Sequence, residues 1–131
     1  NSLLTIEERP VQTRKISYGV IWFDFKYLCA IPRSQVDYLG IARSYHTVLL
    51  SNLPKIHSSD THSIHYLINL VDILYDHRTK LIISAETAID GIYQNGPMKF
   101  EFERTKSRLH EMQSIKYWQQ EHLQAFCNSK E

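Results

Sequence analysis

The chain has 131 residues, of which 43% are hydrophobic and 22% are charged. This length corresponds to one domain and excludes two full ones, and the composition is typical of a packed globular chain and not of a disordered one. With 15 basic and 14 acidic side chains, the formal net charge is +1. That balance excludes a general electrostatic attraction to DNA, RNA or an anionic membrane, so we expect partners to be recognised by local features and expect no nucleic-acid partner.

Cysteine, glycine and apolar patterning exclude several further classes. Cys29 and Cys127 are far apart and belong to no CxxC or zinc-ligand spacing, which favours a reducing compartment and a cytoplasmic location. The four glycines form neither GxGxxG nor GxxxxGK[ST], so the chain has no recognisable phosphate-binding loop. Asp24 interrupts the longest apolar run, and Glu7 and Glu8 stand where a signal peptide would be basic. We therefore expect no segment that crosses a membrane.

The N-terminal part of the chain predicts β-strands. Side chains at residues 8–17 alternate along two faces, and Tyr18–Gly19 offers a turn before an apolar run at residues 20–25. This pattern indicates two strands joined in a hairpin. The second run contains an aromatic cluster that could stack bases, but its surroundings lack basic residues, so we expect core packing for Trp22, Phe23 and Phe25.

A helix and a short strand follow the hairpin. Pro32 prevents a helix from continuing and Ser34 can cap a new one. Apolar side chains at three- and four-residue steps then predict a helix at residues 35–45. The run at residues 46–51 predicts a strand that ends before Pro54.

The middle of the chain carries the clearest architectural signal. Candidate N-caps at residues 58–61 precede a helix that we expect at residues 60–77, with an apolar stripe at Ile64, Leu67, Ile68, Val71, Leu74 and Tyr75. The apolar run at residues 80–85 then predicts a strand buried on both faces, as in a parallel sheet. Strand, helix and strand form a parallel βαβ unit, which places the chain in the α/β fold class.

Turn residues and charged side chains characterise the C-terminal third. Residues 86–97 predict a loop with one helical turn at residues 88–93, and a long, highly charged helix is expected from Phe102 to about Phe126. We divide the single domain, 1–131, into strands and hairpin at 1–25, helices with parallel strands at 26–85, and a loop with the C-terminal helix at 86–131.

Paired carboxylates on the central helix are one candidate for chemistry. Asp72 and Asp76 are four residues apart and share a helix face, so they could bind a divalent ion or share acid–base work. The alternative, which we favour, is that Asp76 caps the helix or forms ion pairs with Arg78 and Lys80 near its C-terminal end.

Histidines and serines are weaker candidates. His62 and His65 could chelate a metal, but no acidic or cysteine ligands accompany them at a fixed spacing and the chain has no HExxH motif, so a surface role is expected. Ser51 and Ser84 end strands without the GxSxG elbow that exposes a catalytic serine. We therefore predict neither a metal site nor a hydrolase triad.

Three arginines are the most informative side chains. Arginine contacts transferring phosphates and can report nucleotide state between lobes or subunits, which makes Arg33, Arg104 and Arg108 candidates for that role. The alternative for any one of them is simple solvation at the surface.

Five ordered blocks carry a family resemblance. They read GVIWFDFKYLC, PRSQVDY, HTVLLSNLP, LVDILYD with KLIISA, and FEFERTKSRLHEMQS. Together they resemble the ZapE family of P-loop ATPases, whose mitochondrial relatives are the AFG-type ATPases, over residues 16–117. His65 and Tyr66 stand where many members of that family have an arginine pair.

The resemblance implies the C-terminal part of an AAA-like P-loop ATPase. Its Walker A and Walker B segments, which bind ATP and Mg²⁺, would lie upstream of Asn1, so this chain alone would bind neither, would contain no catalytic residue and would be inactive. Arg104 and Arg108 become candidate sensors of bound nucleotide, and Arg33 a candidate contact between lobes or subunits. The family implies association with the bacterial division machinery and ATP-dependent modulation of FtsZ assemblies, with membrane association only through partners and with oligomers possible.

Two further readings remain open. The region could instead be an interaction module, in which the charged helix at residues 104–116 and the hairpin dock a division partner such as FtsZ. A free-standing small enzyme would need a pocket with convergent titratable groups, and the sequence indicates none.

Overall fold

A computed structural model of the chain describes residues 2–6, 9–13, 15–17, 19–29 and 34–122, with side chains described from residue 19 onward. Six strands and five α-helices are present in these ranges, together with a 3₁₀ turn at Ile89–Gly91. The strands are β1 (Ser2–Ile6), β2 (Arg9–Thr13), β3 (Lys15–Ser17), β4 (Val20–Asp24), β5 (Thr47–Leu53) and β6 (Lys80–Ala85). The helices are α1 (Phe25–Leu28), α2 (Gln35–Ser44), α3 (Thr61–Asp76), α4 (Lys99–Met112) and α5 (Ile115–Trp118).

The main sheet has the order β3-β4-β5-β6. Strands β3 and β4 are antiparallel, whereas β4, β5 and β6 run parallel to one another. The predicted α/β class, the parallel βαβ unit and the hairpin are therefore confirmed, and the hairpin is β3–β4. Gly19 lies in its turn with φ +78°, a left-handed conformation that favours glycine.

The N-terminal prediction is wrong in two details. Residues 8–17 do not form one strand, because β2 pairs with β1 in a separate two-stranded antiparallel sheet while β3 joins the main sheet. Strand β4 ends before Phe25, since the Asp24 carboxylate accepts a hydrogen bond from the Lys26 backbone N–H at 3.2 Å and thereby caps α1.

Helices α2 and α3 cover one face of the parallel strands. Both crossovers, β4 to β5 and β5 to β6, advance in the same direction along the sheet, so right-handed connections place their helices on the same side. The buried side chains facing these helices include Ile21, Phe23, Val48 and Leu50 from the sheet and Ile64, Leu67, Val71 and Leu74 from α3.

The opposite sheet face carries an apolar row. Trp22, Leu49 and Ile82 are direct register partners on β4, β5 and β6. None of the three is buried, so the expected core packing is confirmed for Phe23 and Phe25 and is wrong for Trp22. The Trp22 Nε1–H instead donates to Ser51 Oγ at 3.0 Å.

Strand β6 differs from its prediction. It has the predicted bounds, but among the described strands it lies at the edge of the sheet, and Ile82, Ser84 and Ala85 are exposed. An apolar run predicts a strand but does not show whether other strands pair with it on both sides. For this reason the expectation that β6 is buried on both faces was wrong.

The C-terminal helix is shorter and interrupted. Helix α4 begins at Lys99 and ends at Met112, and Ser114 then caps α5 by accepting a hydrogen bond from the Tyr117 N–H at 3.1 Å. The predicted uninterrupted helix from Phe102 is therefore wrong, and its extension past residue 122 lies outside the described residues. The predicted single helical turn is confirmed as Ile89–Gly91. None of the described helices combines the length and apolar character needed to cross a bilayer.

Candidate functional site

The site lies where α4 packs on α3. One side of α4 is buried, and its buried side chains include Phe102, Thr105 and Leu109. Arg104 and Arg108 are four residues apart, so they project from one side of the helix toward α3. Sequence spacing alone places these two side chains together, and the packing of the helices brings both to Asp72.

The Asp72 carboxylate binds both arginines. Arg108 Nη1 donates to Asp72 Oδ1 at 2.7 Å, and Arg104 Nη2 donates to Asp72 Oδ2 at 3.3 Å. The side chain of Arg104 is 63% exposed, whereas those of Arg108 and Asp72 are 25% and 22% exposed. Two guanidinium groups on one carboxylate leave a formal charge of +1, with Arg104 the more accessible cation.

Tyr75 fixes the position of Arg108. The guanidinium carbon lies 4.8 Å from the centre of the Tyr75 ring, a cation–π contact, and the Tyr75 hydroxyl donates to Glu111 Oε1 at 2.8 Å. This hydrogen bond to Glu111 is the main cause that raises the pKa of Tyr75, with burial adding to it. Arg108 is therefore held by a carboxylate and by an aromatic face.

The network continues to a buried lysine, Lys80. Tyr75 stacks on Tyr117 with a centroid distance of 6.0 Å, and Lys80 Nζ lies 5.4 Å from the Tyr117 ring centre. The Tyr117 hydroxyl donates to the Thr79 carbonyl at 2.8 Å. Burial raises the pKa of Tyr117, and burial, with a smaller contribution from Arg78, lowers the pKa of Lys80. A cleft of about 250 Å³ adjoins this network between Tyr75, Asp76, Arg78, Glu111, Tyr117 and Gln120.

The contacts of Asp72 and of Lys80 differ from those that our favoured interpretation predicts. Asp72 is the carboxylate with arginine partners, and those partners come from α4 and not from the end of α3. The Lys80 ammonium does not bond to Asp76 as expected, because it donates to the backbone carbonyls of Gln120 at 2.5 Å and Arg78 at 3.2 Å.

The remaining histidine and serine candidates lie elsewhere. His62 and His65 are exposed, and both contact the Tyr66 ring. Ser51 Oγ, besides accepting from Trp22, donates to the Phe23 carbonyl at 3.3 Å. Within the described residues, no three or more His, Cys, Asp or Glu side chains are grouped so that they could hold a metal ion.

Two residues of the sequence analysis lie outside the described ranges. Arg33 and Cys127 are therefore not placed relative to the site, whereas Cys29 is a buried free thiol.

Sequence reasoning identified the arginines and missed their partners. Asp72 and Tyr75 are three residues apart on α3, which puts an acidic and an aromatic side chain on one helix face. Arg104 and Arg108 present a matching pair of cations on α4. This complementarity between the side chains of α3 and α4 was the sequence signal for the site. It identifies the partners only once α3 and α4 are known to pack together.

The arrangement suits the binding of oxyanions. Guanidinium groups donate in a planar fork that matches carboxylate and phosphate oxygens, and they keep their charge at any physiological pH. Asp72 shows that both side chains can converge on one oxyanion of this size, and Tyr75 restricts the motion of one of them.

Comparisons with known proteins agree with the resemblance of the sequence blocks. The family model described as AFG1-like ATPase matches residues 1–121. Cell division protein ZapE of Escherichia coli K12 is 40% identical over 120 residues, which cover 92% of this chain and 32% of that protein. Lactation elevated protein 1 homolog B of Danio rerio is 25% identical over 148 residues, which cover 88% of this chain and 29% of that protein.

A Schizosaccharomyces pombe protein is also similar, with 39% identity over 89 residues that cover 68% of this chain. No solved structure gives a significant match. The chain spans about a third or less of the length of these curated relatives. A family model that matches 121 of 131 residues shows that this chain belongs to the AFG1-like ATPase family.

Proposed function

We propose that this chain is the C-terminal region of an AAA-like P-loop ATPase and that Arg104 and Arg108 respond to the nucleotide bound elsewhere in the full-length protein. A lobe with Walker A and Walker B segments, upstream of Asn1, would bind ATP and Mg²⁺ and supply the phosphate chemistry, and this chain alone would be inactive. Family membership supports ATPase activity of the full-length protein. The assignment of nucleotide response to Arg104 and Arg108 rests on the convergence of both side chains on Asp72.

The two arginines have different parts in this proposal. Arg104 is mostly exposed and bound to Asp72 by one longer hydrogen bond, so it is the side chain free to turn toward a phosphate. Arg108 is held by Asp72 and Tyr75 and keeps positive charge at the helix pair. Arg33 is proposed, from the sequence alone, as a contact between lobes or subunits.

ATP hydrolysis by the full-length protein tests the proposal. We expect Arg104→Ala and Arg108→Ala each to lower the rate at least about tenfold, because an arginine acting on a transferring phosphate contributes orders of magnitude. Lys106→Ala is the matched control, since this cation is on the same helix but pairs with Glu103 and not with Asp72. Normal hydrolysis by both arginine variants would contradict the role in nucleotide response.

The biological setting is part of the same proposal. The name of the Escherichia coli relative supports a link to cell division, and we propose that the full-length protein modulates FtsZ assemblies with ATP. We place it in the cytoplasm, with recruitment to the division site through partners. Sedimentation of FtsZ polymers with the full-length protein, with and without ATP, tests this part separately from hydrolysis.

An interaction module is the second candidate. Phe100 is 86% exposed in the first turn of α4, and the charged side chains of that helix point outward beside it, which fits a docking surface. In this case the arginine variants would hydrolyse ATP normally and lose partner binding. The two assays therefore separate the candidates.

A further inference from the structure

We infer that Asp72 is a built-in competitor for phosphate, whose carboxylate occupies Arg104 until a phosphate held by the nucleotide-binding lobe of the full-length protein displaces it. This role rests on the proposed function, in which Arg104 and Arg108 respond to nucleotide, and it specifies which anions reach them. A carboxylate and a phosphate present the same kind of oxygen to a guanidinium group. Asp72 and a phosphate therefore compete for the same donors.

The two arginines hold Asp72 with different strength. Arg108 Nη1 donates to Oδ1 at 2.7 Å, and its guanidinium group also lies on the Tyr75 ring. Arg104 Nη2 donates to Oδ2 at 3.3 Å, which is longer than a strong hydrogen bond between charged groups. A competing anion therefore displaces Asp72 from Arg104 first and leaves the bond to Arg108 in place.

This exchange leaves no unpaired charge between the two helices. The side chain of Asp72 is 22% exposed, and a carboxylate in such a place is costly to leave without a cationic partner. Because Arg108 remains bound, Asp72 keeps such a partner when Arg104 turns away. Only one side chain has to move, since the buried Phe102 and Leu109 side chains anchor α4.

The charges of the site give free anions no net attraction. The carboxylate of Glu111, which accepts the Tyr75 hydroxyl, lies beside Arg108, so two guanidinium groups and two carboxylates meet here and their formal charges cancel. An anion from solution must displace Asp72 without help from an excess of positive charge. A phosphate already held by the nucleotide-binding lobe binds intramolecularly, with an effective concentration on the order of millimolar, and it can displace the carboxylate where a free anion does not.

Titration of the 131-residue chain with tripolyphosphate at constant ionic strength tests this role, with the arginine Nε–H groups followed by NMR. In the unchanged chain we expect a Kd above about 1 mM and a larger shift of the Arg104 signal than of the Arg108 signal. Asp72→Asn should bind at least about fivefold more tightly, because removing a unit charge about 4 Å from a bound anion changes the affinity by roughly that factor in water.

Three variants separate competition by Asp72 from a general effect of charge. Asp72→Glu keeps the carboxylate and should leave the affinity within about twofold of the unchanged chain. Asp76→Asn is the matched control, since it makes the same change of charge one turn further along α3 at a carboxylate that bonds to neither arginine in the described structure. It should raise the affinity by less than about twofold. Arg104→Ala combined with Asp72→Asn should lose the gain.

Several results would overturn the inference. Equal affinities of the unchanged and Asp72→Asn chains would do so, as would a gain that survives Arg104→Ala or that Asp76→Asn reproduces. An Arg108 signal that shifts as far as the Arg104 signal in the unchanged chain would contradict the exchange of partners, and this measurement needs no variant.

The titration fails or succeeds independently of the ATPase assay. Normal hydrolysis by the full-length arginine variants contradicts the proposed function, whereas loss of hydrolysis together with equal anion affinities contradicts only the competition by Asp72. In the full-length protein, free tripolyphosphate should inhibit Asp72→Asn at a concentration at least about fivefold lower than it inhibits the unchanged protein. Equal inhibition of the two proteins would contradict the exclusion of free anions.

Discussion

Arg104 and Arg108 bind the same carboxylate but differ in how much water surrounds them. Arg108 is mostly buried and also covers the Tyr75 ring, whereas Arg104 is mostly solvated. Exposed ion pairs contribute little to stability, while a partly desolvated pair with a cation–π contact contributes more.

We therefore predict that Arg108→Ala lowers the free energy of unfolding by about 1–2 kcal/mol and Arg104→Ala by less than about 0.5 kcal/mol. Urea unfolding of the chain measures both, with the exposed Arg43 on α2 changed to alanine as the control. Equal losses for the two α4 variants would show that Tyr75 and burial add nothing to the ion pair.

The same residues show how far the sequence could predict the site. Arginine chemistry and spacing were enough to single out Arg104 and Arg108. Asp72 was considered with Asp76 because the two are neighbours on one helix, and its actual partners lie 32 and 36 residues away. A contact between helices depends on how they pack, and periodicity within each helix does not contain that information.

Among the elements, the turn of the β3–β4 hairpin at Gly19 is hydrogen-bonded to the start of β5. Its carbonyl accepts hydrogen bonds from the His46 N–H at 2.8 Å and the Thr47 N–H at 3.2 Å. Its φ is +78°, and a Cβ at this position would lie 2.5 Å from His46 Cδ2. Glycine is therefore required both by the backbone conformation and by the neighbouring ring.

We predict that Gly19→Ala lowers the free energy of unfolding by at least about 1 kcal/mol, since a left-handed alanine costs about this much before any clash. Adding His46→Ala should recover the part due to the clash. Urea unfolding compares the two variants, and a neutral Gly19→Ala would contradict the strain argument.

Prediction at the element scale succeeded where one strong pattern dominates. The apolar stripe of α3 and the run of β6 gave their positions to within a residue or two. The break between α4 and α5 was missed because helical periodicity continues past Met112, whereas Ser114 starts a new helix by capping it. Strand β1 was missed because its pairing with β2 is not visible in either segment alone.

For the whole molecule, His122 ties the C-terminal part of the described chain to α2. Its Nε2–H donates to the Ala42 carbonyl, 80 residues earlier, and within the described residues its buried Nδ1 has no hydrogen-bond partner. Burial lowers the pKa of His122 from its usual value near 6.5, and His46, His77 and Lys80 nearby lower it further, whereas the bond to Ala42 opposes the shift.

A lowered pKa gives a definite sign to the pH dependence of stability. Below about pH 6.5 the unfolded chain binds a proton at His122 more readily than the folded chain does, so acidification destabilises the fold. We predict that urea unfolding between pH 7 and pH 5 shows a smaller loss of stability for His122→Gln, which keeps an N–H donor, than for the unchanged chain. His57→Gln, at an exposed histidine, is the control, and an equal pH dependence in all three proteins would exclude His122 as a cause.

At this scale the sequence predicted the fold class but not the arrangement of the layers. An apolar strand between two helices has the same sequence pattern whether other strands pair with it on both sides or on one side only. The position of β6 at the edge and the open face beside Trp22 follow from strand order, which depends on long-range pairing.

Strand order also limits where this sheet can form a ligand crevice. Open α/β sheets place such crevices at a topological switch point, where the chain reverses its direction of travel along the sheet and helices change face. Strands β4, β5 and β6 follow one another in a single direction, and the position beside β4 is occupied by antiparallel β3. The described strands therefore contain no switch point, and the oxyanion-binding geometry of this region comes from a pair of helices instead.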